Sequence, residues 1–159
     1  MNKVFIYIKY NSITIIKLHN NKIWDKMSVD NVIDELLNAE ENVHAVAIIG
    51  KDGNLVTQTE NWDVSGNLAA INALIRDNPE LGQKSAASSI EIQGVKYMIV
   101  ENELERKIAT NITGKGHLII APSPPGGTGA IVCYINPAAG PRDALLNVQD
   151  AARKLQSLI

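Results

Sequence analysis

Apolar positions along the chain change period several times, and each change marks an element. Val29, Val32, Ile33, Leu36 and Leu37 recur at spacings of three and four, which lines one side of a helix, and Ser28 supplies the hydroxyl for its first turn. From Val43 to Ile49 every position but His44 is apolar, the pattern of a strand covered on both faces. Lys51-Asp52-Gly53-Asn54 then turns the chain into "LVTQT", predicting a hairpin. Leu68, Ile71, Leu74 and Ile75 predict a second helix, capped by Ser65 and stopped at Asn78-Pro79. Short runs follow in quick succession: "SIEIQ", "VKYMIVE", "RKIATNI", "HLIIA" and "AIVCYI", an antiparallel meander. Gly140-Pro141 opens a last helix whose buried side is Leu145, Leu146, Val148, Ala152, Leu155 and Ile159. Ahead of all this, Lys3 to Tyr10 and Ile13 to Leu18 flank Asn11-Ser12 and predict a separate N-terminal hairpin. The order predicts an α+β domain, one central antiparallel sheet with helices on its faces.

Composition narrows this only a little. At 159 residues, 45% hydrophobic and 20% charged, the chain suits one core. A net charge of −2 lacks the basic excess of a nucleic-acid binder. A single cysteine, Cys133, cannot close an internal disulfide and sits in a predicted strand, so a core role in a reducing, cytoplasmic setting is expected. The apolar stretch Val4–Ile8 is too short for a leader or a membrane span.

Candidate chemistry is sparse. The glycines of "PSPPGGTGAIV", from Pro122, resemble a phosphate loop, but a strand rather than a helix follows and no Gly-Lys-Ser/Thr occurs, so a long turn binding no nucleotide is expected. His19, His44 and His117 have no acidic or cysteine partner at ligand spacing; no metal or cofactor is expected, and His44 is read as satisfied within the sheet. Asn111-Ile112-Thr113 is read as a strand end, and Glu101, Glu103 and Glu105 with Arg106-Lys107 as a solvated hairpin tip. No nucleophile elbow or dinucleotide fingerprint appears, and no enzyme activity is expected.

Four segments in order, "IWDKMSVDNVIDELL", "AVAIIGKDGNLVTQ", "GVKYMIVENE" and "GPRDALL", resemble the profilin family over residues 23–159, leaving residues 1–22 as a hairpin extension. The likeness is to the archaeal type. It implies terminal helices side by side on one face of the sheet, a shorter helix on the other, and a cytoplasmic monomer that binds monomeric actin or an actin-like protein, sequestering it and suppressing nucleation. The positions implied for actin contact are Lys96, Arg106, Lys107, Asn111, Lys115, His117, Gly140, Arg142 and Asp143. Acidic phospholipid head groups are a further partner the resemblance implies. The family's proline-rich-peptide site needs several rings on the terminal helices. Here Trp24 stands alone, with Met27 or Ser28, Val56 and an aromatic-free last helix at the other places, so such binding is expected to be weak or absent. The main alternative is a roadblock-type dimeric platform for small GTPases, with three strands after its second helix against the five counted here; a small-molecule sensor is a third.

Overall fold

The computed structural model describes residues 3–9, 12–18 and 28–159 apart from 83. Helix α1 is Val29–Ala39, α2 is Leu68–Arg76 and α3 is Leu145–Leu155. The strands are β1 (Lys3–Lys9), β2 (Ser12–Leu18), β3 (Val43–Ile49), β4 (Leu55–Gln58), β5 (Ser89–Ile92), β6 (Val95–Asn102), β7 (Lys107–Thr110), β8 (His117–Pro122) and β9 (Ala130–Ile135). β1 and β2 pair antiparallel as a two-stranded sheet of their own, the hairpin expected from the sequence. Tyr10, Asn11, His19 and Trp24 lie outside the described residues.

The remaining strands form a seven-stranded antiparallel sheet in the order β4-β3-β9-β8-β7-β6-β5. Five of them follow α2 as a meander, and the first hairpin joins through β3 pairing β9. Strand parity then divides the core. Val46 and Ile48 of β3, with Ile119, Ile131 and Cys133, pack beneath Val32 and Leu36 of α1 and Val148, Ala152 and Leu155 of α3. Ala45, Ala47 and Ile49, with Ile120 and Val132, pack on the other side against Ile71, Leu74 and Ile75 of α2. The near-continuous apolar run of β3 is thus the consequence of helices on both faces. Ser28 caps α1 as expected, its Oγ accepting from Asn31 N at 3.1 Å. Lys154 reaches Glu35 across the paired terminal helices at 2.9 Å.

Several expectations need correction. Ser65 does not cap α2: it begins a short 3-10 turn, Ser65–Asn67, and donates to Asp63 Oδ1 at 2.6 Å, so Asp63 organises that entry instead. The last helix starts at Leu145, not at Gly140-Pro141, because Gly140 and Asp143 close a turn first. Leu146 falls off the stripe formed by Val148, Ala152 and Leu155 and is 79% exposed. His44 is exposed, its ring tilted against Tyr134 at 6.4 Å, because the β3–β9 pairing shifts register between Val43 and Ala45 and leaves it out of the covered ladder.

The β8–β9 connection is a turn between strands, as expected, but it is built into the body. Ser123 is buried and its Oγ donates to Ala152 O of α3 at 2.5 Å. Gly126 N donates to Leu104 O, and Thr128 Oγ1 to Lys51 O at 2.7 Å. A hydroxyl bond buried on both sides resists loss, so Ser123→Ala should cost about 1 kcal/mol in a denaturant titration, with an unchanged m-value. An unchanged midpoint would show that the loop is only draped on α3.

Candidate functional site

Helices α1 and α3 cover β3, β8 and β9 and stop short of β6 and β7. The register shows what they leave open. Met98 pairs with Thr110, Thr110 with His117, Glu101 with Ile108, and Ile108 with Ile119, so these side chains share the α1/α3 face, and Lys96 joins them two residues before Met98. Lys96 is exposed and Met98, Glu101 and Thr110 are half-buried, giving a polar strip beside the entry to α3. Val100, Ile112 and Leu146, three of the five exposed large apolar side chains among the described residues, stand on the elements that frame it.

Turns at its rim are tightly held. Asn111 Nδ2 donates to Lys96 O at 2.8 Å, while its Oδ1 accepts from Thr113 N, Thr113 Oγ1 and Lys115 N. Asn111 is therefore the organiser of the β7–β8 turn rather than the end of a strand, which is why β7 stops at Thr110. Gly116, at φ +102, lets this turn press on Tyr134, where an added Cβ would stand 2.6 Å from the ring. Tyr134 in turn donates its hydroxyl to Lys115 O at 2.9 Å. His117 Nε2 lies 2.8 Å from Ala139 O, which can only accept, so that nitrogen carries the hydrogen. In the neutral ring Nδ1 then accepts from Thr110 Oγ1 at 2.6 Å, and His117 ties the segment ahead of α3 to the sheet. Gly140 N donates to Asp143 Oδ2 at 2.8 Å, closing the turn that carries Arg142.

Charges concentrate at one corner. Arg106 Nε binds Glu101 at 3.2 Å, and its other nitrogens meet Glu103 at 2.8 Å and Glu105. Arg142 Nε binds the second oxygen of Glu101 at 2.5 Å. Burial pulls the Glu101 carboxyl upward, but the Arg142 and Arg106 guanidinium groups outweigh it and hold it below the ordinary range. In place of the expected solvated tip there is an ordered network, assembled by a residue 41 positions further along the chain.

Lys107 is a correction to the predicted contact set. It pairs with Ile120, whose side chain belongs to the α2 face, so one step of parity from Arg106 carries it to the opposite side of the sheet. There it is 1% exposed, and its Nζ donates to Asp77 O at 2.5 Å, Asn102 Oδ1 at 2.6 Å and Asn78 Oδ1 at 2.9 Å. The ammonium sits at the C-terminal end of α2, where the helix dipole favours a cation. Burial lowers its pKa, with Asp77 and Glu80 opposing. A partner cannot reach it. Lys96, Arg106, His117 and Arg142 do come together on the open face, beside the turn that Asn111 holds and the one closed by Gly140 and Asp143, whereas Lys115 lines the cleft on the α2 side with Trp62, Tyr97 and Tyr134. Missing from the predicted set was Glu101, whose only signal was its place between two arginines that the fold alone unites.

A family model described as Profilin matches residues 27–158. The chain belongs to the profilin family. This profilin is 58% identical to Loki profilin-1 of Lokiarchaeum over 82% of its own length and 97% of that relative. Odin profilin, of Odinarchaeota yellowstonii, is 32% identical over 84% of this chain and all of its own. Among solved structures, a complex of Loki profilin-2 with rabbit actin superposes with a TM-score of 0.79 at 60% identity, covering 84% of this profilin and 100% of that chain. Profilin IB of Acanthamoeba castellanii shares the fold at a TM-score of 0.60 and 18% identity. With the family settled, the roadblock alternative falls away, and the N-terminal β1–β2 hairpin lies outside the matched residues.

Proposed function

We propose that this profilin binds actin monomers through the open face of β6 and β7 and the entry to α3, and that it thereby sequesters them and suppresses spontaneous nucleation. The observation that carries the reading is the complex formed by Loki profilin-2 with rabbit actin, a relative 60% identical over its full length. The open face supports it: rigid turns present polar groups around Val100, Ile112 and Leu146, apolar contacts suited to the few that dominate binding energy. An interface of ordinary size would bury about 800 Å² on each partner. Pyrene-labelled actin tests the reading. A molar excess of this protein should lengthen the lag before assembly and lower the final polymer, and unchanged traces would overturn it.

Proline-rich peptides should bind weakly. The described part of the groove between α1 and α3 is lined by Glu35, Asn38, Asn147, Asp150 and Lys154 beside Val32, Leu36 and alanines, with no ring on which a polyproline helix could stack. A decaproline titration followed by tryptophan fluorescence should show no saturation below about 100 µM, far weaker than a ring-lined groove achieves. Low-micromolar saturation would contradict the expectation.

A further inference from the structure

We propose that Glu101 is the positioning residue of this surface: it fixes Arg142 by Nε so that the two terminal nitrogens of that guanidinium stand ready for a carboxylate on actin. The inference rests on the actin reading above and adds a residue and a mechanism to it. Two arginines share Glu101, and they are used differently. Arg106 is spent within the fold, its Nε on Glu101 and its terminal nitrogens on Glu103 and Glu105, with its side chain only 21% exposed. Arg142 is 59% exposed and gives Glu101 only its Nε; among the described residues its terminal nitrogens have no protein partner. A planar fork with a free edge is what a carboxylate takes in bidentate fashion.

Glu101 is suited to anchoring. Its side chain is 13% exposed, it lies on a sheet strand, and both its oxygens are engaged. The backbone of Arg142 is held independently by the Gly140–Asp143 turn, so the side chain is fixed at its root and again at Nε. The ordering entropy of a long side chain is then lost during folding rather than on association. The cluster is poorly suited to charge steering, because three carboxylates surround the two guanidinium groups and leave no bare positive field.

The consequence is kinetic. Loss of the anchor should raise the dissociation rate and leave association nearly unchanged. The test is a double-mutant cycle on actin binding, with rates measured for the full chain, Glu101→Ala, Arg142→Ala and the double variant, alongside melting curves. Glu101→Ala should speed dissociation about five-fold alone and less than about two-fold in the Arg142→Ala background, the mark of coupled residues. The effect should persist in an Arg106→Ala background, and Arg142→Lys, which keeps the charge but not the fork, should dissociate as fast as Arg142→Ala. Equal effects in both backgrounds, or a loss confined to association, would overturn the inference while leaving the actin reading intact. Absence of binding by the unaltered chain would instead remove that reading and this one together. If Glu101→Ala fails to fold, Glu101→Leu, which likewise offers no acceptor to Arg142, takes its place and is held to the same ratios.

Discussion

Lys107→Ala is expected to destabilise the domain by about 3 kcal/mol, a fall of roughly 10 °C in melting temperature for a chain of this size. The reason is asymmetric. The native ammonium satisfies Asp77 O, Asn78 Oδ1 and Asn102 Oδ1 together, at a place where Asn78 is itself buried. Truncation removes one donor group and strands three acceptors, which costs more than the net worth of the bonds. Lys107→Met separates the causes, because it restores the apolar stem without the donor. Denaturant midpoints of the two variants should fall together; if Met recovers most of the loss, packing of the stem is what matters. Actin affinity of the folded fraction should be unaffected, since Lys107 lies on the α2 face.

Arg142→Glu should carry the largest effect on binding, weakening actin affinity at least about 50-fold, near 2.3 kcal/mol. It removes the free guanidinium fork and sets a carboxylate against Glu101, so the new side chain is repelled from the position the arginine held. Charge reversal at Lys3, outside the residues matched by the family model, should change affinity far less. Both variants should melt close to the parent, because Arg142 is largely exposed and exposed ion pairs contribute little to stability. Equal affinity losses at Lys3 and Arg142 would mean that bulk charge, not this surface, governs association.

How much of this was legible in the sequence depended on how local the cause was. The stripe of α1 with its Ser28 cap, the doubly covered β3 and the five strands after α2 were readable because period and turn chemistry act over a few residues. Lys107 was not. Beside Arg106 it looks like half of a basic pair, and only strand register against Ile120, together with the arrival of the α2 C-terminus, sends it inward. Glu101 escaped for the complementary reason, its decisive partner lying 41 residues away. Ser123 shows the same limit: a proline- and glycine-rich stretch reads as a free loop until α3 is laid across it. Register and helix docking are tertiary facts, and these three residues depend on them entirely.

A one-to-one complex with monomeric actin through the open face can be read out by sedimentation velocity. Fluorescently labelled monomeric actin would be titrated with the unaltered chain and with Arg142→Glu under non-polymerising conditions. The actin boundary should shift to a single faster species that saturates at one equivalent, and Arg142→Glu should produce no shift at the same concentrations. An actin boundary that stays in place with the unaltered chain in large excess would contradict the actin reading.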